Sequence, residues 1–280
     1  MRIISADKIK NTVADLCVQA NLVLRPDVLR ALKSVYREET NSRAKRILGA
    51  VIQNAAIARR NGLAICQDTG LPCVFVEIGD NVKIAGDLKK AINQGVETGY
   101  KKGFLRNSVI KNPLARGKPA NHPAIIHIDI APGNKLKLTV LPKGFGCENK
   151  TRLKMFNPTA EIKEIKKFIV EAVRCAGPDA CPPYVVGVGI GGTADYACLL
   201  AKRALLKKIT DYRLPITDYV SRIEQDLLRE INKLNIGPMG LGGKTTALAV
   251  NIETYPTHIA GLPVCVNISC HALRSASRVI

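Results

Sequence analysis

A chain of 280 residues that is 46% hydrophobic and 23% charged has the composition of an ordinary globular protein, which excludes disordered and fibrous classes. Its 42 Lys+Arg against 23 Asp+Glu leave a net charge of +19, so anionic partners have to be considered, either nucleic acid or small dianions gathered by a focused positive field. No run of about 18 apolar residues suits a transmembrane helix, and the early Asp7 and Asp15, with no apolar run beside them, fit neither a secretory signal nor a transit peptide. A cytoplasmic protein with no membrane partner is expected.

In chain order, the first 62 residues read as helices. Ser5, Pro26 and Asn41 are suitable helix starts, apolar residues recur at three- and four-residue spacing, and Gly62 after "IARRN" is a stop. The pattern then changes to short strands: "VFVEIG" from Val74, "AIIHIDIA" from Ala124 and "KLKLTVL" from Lys135, the last two joined by a "PGN" turn that predicts a hairpin. Residues 160–176 read as a helix, followed by the buried-type strand "YVVGVGI", a long helix "ADYACLLAKRALLKK" and then a loop. Residues 219–234 place Val220, Ile223, Leu227, Leu228, Ile231 and Leu234 on one helical face, and "ALAVNIET" and "PVCVNIS" read as closing strands. The fold class is mixed α/β, a helical N-terminal segment followed by short β-sheets surrounded by helices, forming one domain over residues 1–280.

Several motifs invite functional readings that their spacing does not support. "GVGIGG" after a strand matches a dinucleotide fingerprint, but a long helix and a loop follow where that unit needs a further strand ending in an acid, so its glycines are better explained by close backbone approach. "GPMGLGGKTT" resembles a phosphate loop, yet Pro238 stands where Gly must precede Lys244 by six residues. The densest basic stretch, residues 89–118, holds eight basic residues and one acid, Glu97, but aromatics are only 4% and no nucleic-acid motif is present; no nucleic-acid partner is expected.

Nine cysteines in a reducing compartment point to metal binding or catalysis for any clustered subset. Cys66 in "CQDTG", Cys181 in "GPDACPPYVVGVGIGGT" and Cys270 in "PVCVNISC" lie in loops rich in Gly and Pro, without the close C-x-x-C spacing of a zinc ribbon or ferredoxin. Together with "GFGCENKT" and "GPMGLGGKTTALAVNIETYPTHIAGLPVCVNISC", these stretches resemble the α subunit of the two-subunit iron-sulfur hydro-lyases, class I fumarate hydratase and L(+)-tartrate dehydratase, from about Cys66 to Arg274.

That resemblance implies a [4Fe-4S] cluster held by Cys66, Cys181 and Cys270, with a fourth iron open to act as a Lewis acid on a substrate hydroxyl and carboxylate. By motif position Gln67, Asp68, Arg106, Gly146 and His258 would contact a small dicarboxylate substrate, Asp68 and His258 in catalytic roles, with Asn149 and Lys150 as neighbours. Taken alone, Asp68 suits an Asx-turn or cap equally well, and His258 a surface or packing histidine. Cys147 departs from the family pattern, where Ser is frequent, and is read as a Ser equivalent; His122 and His271 are left structural. Because the chain ends at Ile280 and the fused relatives carry the proton-transferring residue further on, the resemblance implies a β subunit completing the site, in a symmetric heteromer. The activity implied is reversible hydration of fumarate to malate, with L(+)-tartrate dehydration to oxaloacetate as the alternative. A basic nucleic-acid-binding protein or a structural zinc protein are the readings from other classes, and both predict no acid-labile sulfide.

Overall fold

The computed structural model describes residues 1–209 and 218–280. The elements run β1 (Arg2–Ser5), α1 (Ala6–Leu22), α2 (Pro26–Glu38), α3 (Ser42–Asn61), β2 (Leu71–Gly79), β3 (Val82–Ala85), α4 (Leu88–Lys102), β4 (Ile125–Ala131) and β5 (Leu136–Lys143). There follow α5 (Phe145–Glu148), β6 (Arg152–Phe156), α6 (Ile162–Ala176), β7 (Tyr184–Gly192), α7 (Ala194–Ala204), α8 (Tyr219–Asn232), β8 (Ala247–Thr257), β9 (Leu262–Ser269) and β10 (Ala276–Val279). The class is mixed α/β, and the chain divides into two compact units: unit 1 is Met1–Arg25, Asn54–Phe145 and Arg274–Ile280, unit 2 is Pro26–Gln53 and Gly146–Leu273. Most of the loop expected after α7 lies outside the described residues.

Unit 1 packs α1 and α4 on a four-stranded sheet of order β10-β5-β2-β4. Ser5 caps α1, its hydroxyl accepting from the Lys8 N–H at 3.3 Å, and Ile9, Val13, Leu16, Cys17 and Ala20 turn to the core at helical spacing. The predicted β4–β5 hairpin does not form. Instead β2 lies between them, parallel to β4 and antiparallel to β5. The "PGN" turn explains why: it wraps the end of β2, with Gly133 N–H donating to the Asp80 carboxylate at 2.8 Å, Asn81 N–H to the Gly133 carbonyl at 3.0 Å and Gly79 N–H to Lys135 at 2.8 Å. The residues before α1 also depart from the all-helical reading, since β1 pairs with β3 in a parallel two-stranded sheet.

Unit 2 is built around β7, which pairs with β8 in parallel and with β9 antiparallel, in a sheet of order β6-β9-β7-β8. One face, carrying Tyr184, Val186 and Val188, packs against Ile165, Ile169 and Val173 of α6 and Ile223, Leu227 and Ile231 of α8. On the other face Gly187 and Gly189 let α7 lie directly on the strand, where an added Cβ would stand 2.1 Å from the Ala201 carbonyl and 2.0 Å from that of Ala197. The "GVGIGG" glycines therefore serve close packing. Asn41 caps α3 through its Oδ1 and the Ala44 N–H at 3.1 Å, and α8 starts on Asp218, which accepts from Ser221 N–H at 2.9 Å. Among the described residues no helix is long and apolar enough to cross a membrane.

Candidate functional site

In unit 1 the "CQDTG" residues form a loop entering β2, and the carbonyls of Asp68, Thr69 and Gly70 and the Gly70 N–H are held. The Asp68 carboxylate accepts from Gly70 N–H at 2.9 Å, an Asx-turn, and from Phe145 N–H at 2.8 Å. Gly144 sits close beside it, where an added Cβ would lie 3.2 Å from Asp68 Oδ2, a tight contact. The Asp68 carbonyl accepts from Arg274 Nη2 at 2.7 Å, and the Tyr100 hydroxyl lies 2.8 Å from the Thr69 carbonyl and 3.0 Å from that of Gly70. Thr69 Oγ1 donates to the Arg106 carbonyl at 3.1 Å, which attaches the Arg106 segment to the loop and leaves its guanidinium exposed. Cys66 is half-buried, its thiol 3.3 Å from Gln67 Oε1, and Gln67 is exposed. Asp68 thus has a built structural role beside any chemical one. Its oxygens each keep a lone pair, so one further donor can still be accepted. Asp68→Asn is expected to cost about 1–3 kcal/mol, since the amide NH2 would face one of the two backbone donors and leave it unbonded; urea denaturation measures this directly.

In unit 2 the corresponding centre is the turn before β7. Cys181 is exposed and has φ +57°, an uncommon left-handed conformation for a side-chain-bearing residue. Four hydrogen bonds hold it there: Cys181 N–H to the Pro178 carbonyl at 3.2 Å, His271 N–H and Nδ1–H to the Cys181 carbonyl at 3.4 and 3.1 Å, and Met239 N–H to Pro182 at 2.9 Å. The His271 bonds bring the backbone next to Cys270 up to the Cys181 carbonyl, within this unit. The phosphate-loop look-alike braces the same turn. Its amides are engaged by protein acceptors, Gly243 N–H by Asn235 Oδ1 at 3.1 Å and Lys244 N–H by Glu39 Oε2 at 2.8 Å.

The short helix α5 lies against this turn. Cys147 is buried and its thiol donates to the Ala180 carbonyl at 3.3 Å, a bond that a Ser hydroxyl would make equally. Lys150 pairs with Asp179 at 3.0 Å, Asn149 is exposed, and the open side of Gly146 faces the Asp179 carbonyl 4.0 Å from an added Cβ. His258 stands apart in the turn between β8 and β9. Its Nδ1 accepts from Ala260 N–H at 3.1 Å, which puts the neutral ring's proton on Nε2, pointing away from the turn's own hydrogen bond. His122 bonds to Asn121 Oδ1 at 3.0 Å and serves its own loop.

The nine cysteines are all free thiols, four of them buried and five half-buried or exposed. Burial pushes Cys17 up to about 12 and raises Cys265 strongly, which makes them inert small hydrophobes. Cys66, Cys181 and Cys270 are by contrast exposed or half-buried, as are Cys175 and Cys198 on helices α6 and α7, and soft accessible sulfur is the donor chemistry that iron-sulfur clusters use. The sulfur donors on each unit fit such a group in chemical type, Cys66 in unit 1 and Cys181 and Cys270 in unit 2. Among the described residues no three His, Cys, Asp or Glu side chains are gathered to hold a metal ion.

Comparison with known proteins places these residues in context. The model of the fumarate hydratase (fumerase) family matches residues 10–279. A protein of Methanocaldococcus jannaschii, provisionally named L(+)-tartrate dehydratase subunit alpha, is 41% identical over 281 residues, covering 98% of each chain. L(+)-tartrate dehydratase subunit alpha of Escherichia coli strain UTI89 is 30% identical over 274 residues, 96% of this chain and 90% of that one. Its counterpart in strain K12 is 29% identical over 280 residues, 99% and 92% of the two chains.

Proposed function

Because the chain belongs to the fumarate hydratase family and is a hydro-lyase subunit of the α type, we propose that it hydrates fumarate to malate reversibly, together with a β subunit in a symmetric heteromer. The observation that carries this reading is that the three motif-matched thiols, Cys66, Cys181 and Cys270, are accessible and lie outside helices on backbone that is tied down. These three would hold a [4Fe-4S] cluster. When bound, such a cluster with one open iron supplies Lewis acidity toward a hydroxyl and a carboxylate.

The chain's own groups do the rest. Gln67, exposed next to Cys66, offers amide hydrogen bonds to the substrate hydroxyl, and Asp68 keeps an acceptor position for that hydroxyl's proton. Arg106 has no carboxylate partner among the described residues, so its planar guanidinium is available to take a substrate carboxylate through paired N–H bonds. His258 presents Nε2–H and Gly146 its backbone N–H to the negative charge that builds as water adds across the double bond. In this reading the β subunit supplies the proton at the adjacent carbon.

The second reading, dehydration of L(+)-tartrate to oxaloacetate, is favoured by the names of the relatives. Malate and L(+)-tartrate differ by one hydroxyl, and a site built to bond that group discriminates strongly against its absence. Anaerobic assays of the co-expressed α and β chains on fumarate, malate and L(+)-tartrate decide between them by kcat/KM. The α chain alone is expected to be inactive on all three; turnover by a pure α chain would overturn the two-subunit reading.

A further inference from the structure

Arg274 is a buried charge with an unbonded nitrogen. It is 3% exposed, and its Nε has no hydrogen-bond partner among the described residues. The terminal nitrogens are both engaged, Nη1 with Asn21 Oδ1 at 3.1 Å and Nη2 with the Asp68 carbonyl at 2.7 Å. Asn21 is fully buried and carries the support onward: its amide donates to the Cys17 carbonyl of α1 at 3.0 Å, and its own carbonyl accepts from Ile65 N–H at 3.0 Å. Ile65 precedes Cys66, and Asp68 follows Gln67. The loop is therefore clamped on both sides of those two residues by one linked pair, Asn21 and Arg274, with the Tyr100 hydroxyl adding a bond at the next two carbonyls.

For stability alone this is a poor arrangement, since a well-packed apolar side chain of similar volume is commonly as good as a buried ion or better. What the guanidinium adds is a charge-assisted bond that fixes the orientation of the Asp68 carbonyl, and through it the direction of the side chains before it. We infer that Arg274 is a positioning residue that holds the Cys66–Gln67 segment in one conformation for the chemistry at that loop. The part about chemistry rests on the proposed function; the clamp itself does not.

The test uses the full chain with Arg274→Met, which removes the bonds at nearly constant volume, and Arg274→Lys, which keeps the charge and one donor. Anaerobic alkylation of Cys66 by iodoacetamide, followed by mass spectrometry, and amide hydrogen exchange of residues 65–70 are measured beside the melting temperature. In Arg274→Met, Cys66 alkylation and local exchange are expected to rise roughly tenfold, and in the co-expressed enzyme kcat is expected to fall on the order of a hundredfold with little change in KM, the pattern of lost alignment. Arg274→Lys should recover part of each. Exchange rising evenly through the β2–β5 sheet, or Cys66 alkylating at the wild-type rate in Arg274→Met with residues 65–70 unchanged, would overturn the inference; if the Met variant does not fold, Arg274→Gln, which loses the charge but stays polar, is judged by the same two outcomes. A wild-type complex with no hydro-lyase turnover sinks the proposed function instead, and the alkylation and exchange data still judge the clamp.

Discussion

Serine in place of Cys66, Cys181 or Cys270 is expected to abolish cluster binding and turnover, whereas Cys147→Ser is expected to preserve both. The first half follows from donor chemistry: a serine hydroxyl is a hard donor that stays protonated at neutral pH, and it replaces thiolate poorly at iron-sulfur sites. The second half follows from geometry. Cys147 sits buried with its thiol donating to the Ala180 carbonyl at 3.3 Å, so its function in the chain is to anchor the residue before Cys181. A serine hydroxyl makes that bond at a shorter distance, after a small adjustment. Cys147→Ala removes it and is expected to cost on the order of 1 kcal/mol while loosening the Cys181 turn. Iron and acid-labile sulfide, measured on anaerobically purified α–β complexes, read out all five variants together. Sulfide retained in Cys181→Ser, or lost in Cys147→Ser, would contradict the assignment of ligand and anchor.

What the sequence disclosed and what it hid divide along the range of the interactions. Ser5, Asn41 and Gly62 act within one helical turn, so a cap or stop is visible in a few consecutive letters. The face of α8 and the buried strand β7 are visible for the same reason, since periodicity is local. The pairing of β5 is not local. Its partner β2 comes from well upstream, and the "PGN" turn that seemed to fold β4 back on β5 spends its hydrogen bonds on Asp80 and Asn81 instead. Helix α4 was obscured differently: Lys89, Lys90, Lys101 and Lys102 dominate its composition, although Ala91, Ile92, Val96 and Tyr100 form an ordinary buried stripe. The candidate site shows the same division. Residues that carry their own chemistry, the thiols, Gln67, Asp68, Arg106 and His258, stand in recognisable strings. Residues that act through another residue's carbonyl, Arg274, Tyr100 and His271, have no string of their own, because what they recognise is a backbone group brought near by the fold.

Gly189→Ala is expected to be strongly destabilising in unit 2. A Cβ at that position would stand 2.0 Å from the Ala197 carbonyl oxygen, 2.6 Å from Ala201 N and 2.8 Å from Leu200 Cβ, and the nearest of these are helix backbone, which has no rotamer to change. Neither partner can yield easily. β7 is the strand between β8 and β9, bonded on both edges, and α7 is seated over the sheet through Ala197 and Ala201, which also pack with the buried Cys265 of β9. The helix must therefore withdraw by roughly the missing ångström, which opens a gap along the rest of that contact and adds the penalty of a void to that of overpacking. The movement also reaches the candidate site, because Lys202 of α7 holds Glu148 Oε1 at 2.7 Å while Asn267 holds Oε2 at 2.9 Å, and Glu148 closes the α5 turn that carries Gly146 and Cys147. A cost of about 3 kcal/mol or more is expected, equivalent to a fall of roughly 10 °C in Tm. Gly261→Ala is the matched control: its added Cβ would meet only Met155 Cε at 3.8 Å, and its stability should stay within about 0.5 kcal/mol of wild type. Equal melting of the Gly189 and Gly261 variants would refute the direct seating of α7 on β7, and with it the close-packing role given to the glycines of "GVGIGG".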